Sequence, residues 1–139
     1  MTVTAASLKR DFAAVLKSGT TPAAIAVRAA LGAGAASVIA TEDLRGALPA
    51  APFIAVGFGP VSGAPLRDLR IVYPTLWLYD DAGQRWYRLN DLAALVEAAF
   101  PEDGLAGAIT RMAGYGQEYT DDALNRPGLA MRYEVKGRF

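Results

Sequence analysis

The chain contains neither cysteine nor histidine. Without thiols it has no disulfide framework and no thiolate ligand or nucleophile. Without imidazole, the commonest general base and the commonest metal ligand are both missing. An excess of either charge is missing too. Fourteen Lys and Arg balance fourteen Asp and Glu, which is not the footprint of a dedicated nucleic-acid or anionic-membrane binder. No apolar run approaches the ~20 residues that cross a bilayer. The stretch MTVTAASLKRDFAAVLKSG does not read as a signal peptide, because Lys9, Arg10 and Asp11 interrupt it before any apolar core forms. The expectation is a soluble protein made in the cytoplasm. Its 139 residues fit a single domain, 1–139, which can bury about two-thirds of its unfolded surface without metal or disulfide.

Hydrophobic spacing gives the elements. Leu8, Phe12, Val15 and Leu16 make one stripe of a helix, with Thr4 as cap and Ser18–Gly19 as its end. TTPAAIAVRAALG reads as a second, short helix capped by Thr21, with Pro22 in its first turn and Gly32 closing it. Val38 and Ile39 are a candidate short strand within a long connection. PFIAVGFG, residues 52–59, is a strand, PVSGAP a loop, and LRIVYPTLWLYDD, residues 69–81, the most strand-like segment of all. Pro74 cannot donate to a ladder, so it points to a bulge or an edge position.

Residues 80–100 fit either a hairpin with DAGQ at its tip or a helix capped by Asp80 or Asp81. The helix is favoured: Trp86, Leu89, Leu92 or Ala93, Val96 and Phe100 form an unbroken stripe that Pro101 ends. AITRMAGYGQEYTDDAL and LAMRYEVKGR flank NRPG as a hairpin, its first arm bent near Gly114 and Gly116. The sum is an α+β domain: an antiparallel or mixed sheet of about four strands, helices on one face, and a C-terminal β-hairpin.

The search for chemistry returns little. GFGPVSG has the wrong glycine spacing and a proline in the turn, and GAGAAS follows a helix rather than a strand. Neither has the phosphate-binding context. The neighbouring carboxylates Glu42–Asp43, Asp80–Asp81, Glu102–Asp103 and Asp121–Asp122 fall in turns or at helix starts, where caps and Asx turns account for them. Ser7, Ser18, Ser37 and Ser62 have no histidine to activate them. Trp77 and Trp86 read as packing, while Tyr115, Tyr119 and Arg111 are candidates for a surface groove. No catalytic, cofactor or metal residue is expected, and the chain does not read as an enzyme.

The last strand carries the clearest pattern. Leu129, Met131, Tyr133 and Val135 fall on one side, and Ala130, Arg132, Glu134, Lys136 and Arg138 on the other. The charged side suits a specific polar interface between subunits, or else a solvated face with cross-strand ion pairs.

The order of elements resembles the tail terminator proteins of long-tailed bacteriophages and related prophage-derived particles. PFIAVG, LWLYDDAGQRWYRLNDLAALVEAAF and DDALNRPGLAMRYEVKGR carry the resemblance, which runs over residues 5 to 138 as element order rather than as a single motif. The Thr21–Gly32 helix and the stretch before Pro52 look like extra material. The resemblance implies a homo-oligomeric, hexameric ring on the tail tube protein that stops tube growth and offers a surface to head-closure or neck proteins. DNA would pass through the lumen without sequence-specific binding. No cofactor or membrane is implied, and the implied location is the virion's tail–neck junction. Candidate interface residues are Asp121, Asp122 and Arg126 on a loop at one end, and Arg132, Glu134, Lys136 and Arg138 on the strand. The alternatives are another phage neck or tail subunit (a head-closure adaptor or tube protein), or a non-viral oligomeric adaptor or ligand-binding domain.

Overall fold

The structure, a computed structural model, describes residues 5–58, 62–66, 69–100 and 109–138, with side-chain detail for 8–58, 73–100 and 118–135. Helix α1 spans Ala5–Ser18, and its Leu8, Phe12 and Leu16, four residues apart, are fully buried. Thr4, its expected cap, lies outside the described residues. Ser18 Oγ donates to Ala14 O at 3.0 Å, and Gly19 N to Val15 O at 3.1 Å, where the helix ends. Helix α2, Pro22–Ala30, begins as the sequence implies: Thr21 Oγ1 accepts from Ala24 N at 3.2 Å and Pro22 takes the first turn. Arg28 of α2 reaches back to the end of α1, donating to Leu16 O at 3.1 Å and Gly19 O at 2.6 Å. Leu16 O is among the last-turn carbonyls of α1 and Gly19 O lies just past its end, so one side chain closes α1 and ties it to α2.

Seven strand segments share one sheet: β1 (Val38–Ala40), β2 (Phe53–Phe58), β3 (Ser62–Leu66), β4 (Leu69–Val72), β5 (Pro74–Tyr79), β6 (Ile109–Asp121) and β7 (Arg126–Arg138). They lie in five lanes. β5 and β4 meet β7 in one continuous register, Tyr79↔Gly128 through Thr75↔Arg132 and on from Val72↔Val135 to Leu69↔Arg138. β2 and β3 flank that lane on its other side, antiparallel to β5 and β4 respectively. β1 adds parallel to β2, and β6 adds antiparallel to β7 along its full length. The sheet is therefore mixed, with five lanes where the sequence suggests about four strands.

Three local readings change. Ser62–Leu66, expected as loop, is strand β3: it has no alternation to reveal it and exists because β4 offers a ladder. Pro74 is neither at an edge nor at a bulge against β7. It sits in the central lane opposite Phe58, next to the break at Tyr73, and the register with β7 is unchanged on both sides. The closing turn of the hairpin is 122–125 rather than NRPG, and Asn125 adopts φ 53°, a left-handed conformation asparagine tolerates. The bends expected near Gly114 and Gly116 are present as register shifts between Met112 and Gly114 and between Gly114 and Gln117.

Residues 80–100 form a helix, as favoured, but α3 spans Tyr87–Ala99 and starts at Trp86. Asp80 and Asp81 do not cap it, because Ala82–Gly83 turn the chain first and Gly83 takes φ 86°. Of the anticipated stripe, Leu89, Leu92, Ala93, Val96 and Phe100 are buried and Trp86 is half-buried, and Ala99 is buried beside them.

All three helices pack on one face of the sheet, against Ile54 and Val56 of β2, Leu76 and Leu78 of β5, and Leu129, Met131, Tyr133 and Val135 of β7. Phe12 is the centre of this core. Its ring stacks on Phe100 at 4.9 Å and tilts against Tyr133 at 5.4 Å. The opposite face is half covered. Phe53, Ala55 and Tyr79 form a second cluster under Leu44, Leu48 and Leu124. Ser37, fully buried, latches the chain that covers it, accepting from Ala33 N and donating to Ala50 O, both at 2.8 Å. Beyond the helices, β3 and β4 contact chiefly each other and β7.

Candidate subunit interface

The long β6–β7 hairpin carries the sequence candidates at its tip and along the second half of β7. At its tip, Asp121 and Arg126 are engaged within the chain. Asp121 accepts from the Tyr79 hydroxyl at 3.0 Å and from Leu124 N at 3.0 Å. Arg126 lies over the Phe53 ring at 5.5 Å, faces Asp81 at 3.5 Å and reaches Asp80 O at 3.5 Å. Asp122, in the turn, is exposed.

Beneath the tip is a polar and aromatic layer that individual residues do not announce. Phe53, Tyr79, Gly128 and Tyr119 lie in register across four lanes. A Cβ on Gly128 would stand 2.6 Å from Tyr119 Cζ, so the glycine is what lets the tyrosine ring cross the sheet. Phe53 stacks on Tyr79 at 5.2 Å, and Tyr79 meets Tyr119 edge-on at 6.3 Å. Burial, then the neighbouring Tyr119 hydroxyl and the Asp121 carboxylate, push the Tyr79 phenol far above its ordinary range. Burial likewise raises Tyr119. Trp86 Nε1 donates to Gly128 O at 2.9 Å and Tyr119 O at 3.1 Å, pinning the start of α3 to the hairpin.

Asp80 is completely buried. It accepts from Arg88 Nε at 3.0 Å, from Arg88 Nη2 and from Asp81 N at 2.8 Å. That bidentate pair ties the end of β5 to the first turn of α3 and raises the Arg88 pKa. The sequence reading took Asp80–Asp81 as a cap because only the three-dimensional turn shows where α3 begins.

Midway along β7, Arg132 is exposed and its guanidinium lies 3.9 Å from the Tyr73 ring centroid. Tyr73 was no sequence candidate. It meets Arg132 because β5 and β7 share a register, a long-range relation no local spacing encodes. Glu134, read as part of a charged face, is only 9% exposed, with Arg111 opposite it in the β6 ladder. Lys136 and Arg138 occupy β7 backbone positions, and their side chains lie outside the described set, as do those of Arg111 and Tyr115. The structure therefore does not gather the seven candidates in one place. Three lie around the tip and four along the second half of β7.

The two sheet edges differ. In β1, Val38 N donates to Ala35 O and Ala40 N donates to Asp43 Oδ2 at 3.3 Å, so those donors are used within the chain. Beside it, α1 and β1 frame an open groove of about 530 Å³ lined by Ala13, Val38 and Val56, with Arg10 and Lys17 on its rim. Lys9 and Glu42 pair across it at 2.6 Å, which lowers the Glu42 pKa. Among the described residues, no group of three or more Asp and Glu could hold a metal ion, and no helix is long and apolar enough to cross a membrane.

The chain matches no protein-family model and no curated protein.

Proposed function

We propose that the chain is a ring-forming tail terminator subunit. Six copies close on the last ring of the tail tube, stop its growth and present a surface to head-closure proteins, while DNA passes through the lumen without sequence-specific contact. The observation that carries this reading is the terminal hairpin. Its thirteen-residue arms span ~43 Å at ~3.3 Å per residue, somewhat more than the ~37 Å width of a compact sphere with the ~14 Å radius of gyration of a chain this size. A strut of that length, extended by β3 and β4 beyond the helices, is more than the core of a small domain requires. It gives each subunit two separated ends with which to meet neighbours. The order of helix, helix, hairpin, helix and long hairpin also supports the resemblance, and closed symmetry lets such surfaces assemble without open filaments.

Native mass spectrometry over a rising concentration series, alone and with purified tail tubes, tests the reading. A closed hexamer, or six copies recruited per tube end, is expected. A chain that stays monomeric and leaves tube ends bare would overturn it.

A further inference from the structure

The hairpin is electrically polarised along its length, although the whole chain is neutral. Its tip half carries Glu118, Asp121 and Asp122 against Arg126, three acids to one base. The opposite half carries Arg111, Arg132, Lys136 and Arg138 against Glu134, four bases to one acid. The loop beside the tip leaves the balance unchanged, since Asp80 and Asp81 are matched in number by Arg85 and Arg88. Glu118 and Asp122 are exposed at the acidic end. Where the basic half begins, midway along β7, the exposed Arg132 is held over Tyr73, so its charge is presented in a fixed place.

We propose that subunits join head to tail, the acidic tip of one hairpin against the basic half of the next, with Arg132 as its anchor among the described residues. The proposal rests on the ring reading and specifies its contact: the partner is a second copy and the interface is heterologous. A heterologous contact generates a ring when its rotation closes, whereas a two-fold contact stops at a dimer. The strand edges favour the first arrangement. A two-fold pair would lay hairpins side by side along β6, whose ladder shifts register twice near its middle. At the far edge, two donors of β1 are already used within the chain. A contact of the tip with the basic half through side-chain charges needs neither edge.

The test uses two full-length variants. Glu118→Lys/Asp122→Lys makes both halves of the hairpin basic, and Arg132→Glu/Lys136→Glu makes both acidic. Each alone is expected to associate at least about tenfold more weakly than the unaltered chain, since each reversal replaces an attraction with a repulsion. An equimolar mixture restores the ring with the two variants alternating three to three, which native mass spectrometry resolves by mass. Variants that assemble normally on their own, a mixture that stays dissociated, or a mixture that stops at a one-to-one dimer would each overturn head-to-tail joining.

A second measurement needs no variant. Raising salt from about 0.1 M to about 1 M shortens the screening length from about 10 Å to about 3 Å. The ring's dissociation constant should rise at least about tenfold, and a ring indifferent to salt refutes the contact. If the unaltered chain forms no ring under any condition, with or without tubes, the ring reading itself has failed. A ring that survives charge reversal and salt leaves that reading standing and removes only this contact.

Discussion

Removing either member of the Asp80–Arg88 pair breaks the same hydrogen bonds, yet the two losses should differ in size. Asp80 has no exposed side-chain surface, while the Arg88 side chain is 51% exposed. Arg88→Ala leaves a carboxylate buried without the guanidinium that met both its oxygens, so the cost falls near the ~3 kcal/mol lower end for broken buried pairs. The Asp81 amide, which remains hydrogen-bonded to it, moderates the loss. Asp80→Ala leaves Arg88 free to turn into water. It forfeits the charge-assisted bonds and strands one backbone donor, roughly 1.5 kcal/mol in all. The double variant has no buried charge and should cost ~2 kcal/mol, giving a coupling of ~2.5 kcal/mol in the cycle. Urea unfolding followed by circular dichroism reads these as midpoint shifts, provided that the slope is unchanged. If Asp80→Ala costs as much as Arg88→Ala, or if the double variant costs the sum of the singles, the buried-charge reasoning is wrong.

Tyr79 and Tyr119 give a pH prediction whose sign follows from their raised folded-state values. Between the unfolded phenol value near pH 10 and the higher folded values, the native chain holds protons the unfolded chain has lost. Their contribution is therefore fully present below about pH 10 and declines above it, by about 1.4 kcal/mol per pH unit for each tyrosine. Phenolate absorbance should show these two ionising only with unfolding, and Tyr79→Phe should flatten the alkaline slope; early, independent ionisation of all six tyrosines would refute this. Gly32→Ala should cost ~3 kcal/mol or more, because its Cβ would stand 2.4 Å from Ala51 O and 2.5 Å from Ala50 O. The surrounding backbone is anchored by Gly32 N to Pro52 O at 3.0 Å and by Ser37 on Ala50 O, so it cannot yield cheaply, and a urea midpoint close to that of the unaltered chain would contradict the packing.

What could be read from the chain was whatever its own neighbours determine. Thr21 and Pro22 start α2, the four-residue spacing of Leu8, Phe12 and Leu16 buries α1, and alternation from Leu129 to Val135 sets the inner face of β7. In each case the controlling interaction lies within a turn or two, or repeats with a fixed period. What could not be read depends on a partner far along the sequence. Strand β3 is a strand because of β4, and Pro74 is central because β2 and β7 flank it. The start of α3 was misplaced for a related reason. Asp80 looks like a cap beside a helix, but a buried acid hydrogen-bonded to Arg88 serves the junction of strand and helix instead.

The same distinction bears on the charged side of the last strand. Period two assigns its residues to one face but not to one environment. Glu134 is nearly buried, Arg132 is exposed over Tyr73, and Ala130 is half-buried beside Trp77 in the neighbouring lane. The face is thus covered toward the tip, where Leu44, Leu48 and Leu124 belong to the cluster around Phe53, Ala55 and Tyr79, open at Arg132 and closed again at Glu134. At the tip the trend repeats in miniature, with Asp121 and Arg126 turned to intrachain partners and Asp122 left exposed. A residue already satisfied within its own subunit gains little from a neighbour, since the neighbour must first displace what it has. The residues that can contribute most to association are therefore a subset of the charged positions: Asp122 and Glu118 near the tip, and Arg132 midway along β7. They are the sites where charge reversal should act on assembly far more than on folding, whereas the same change at Asp121 or Arg126 should act on folding first.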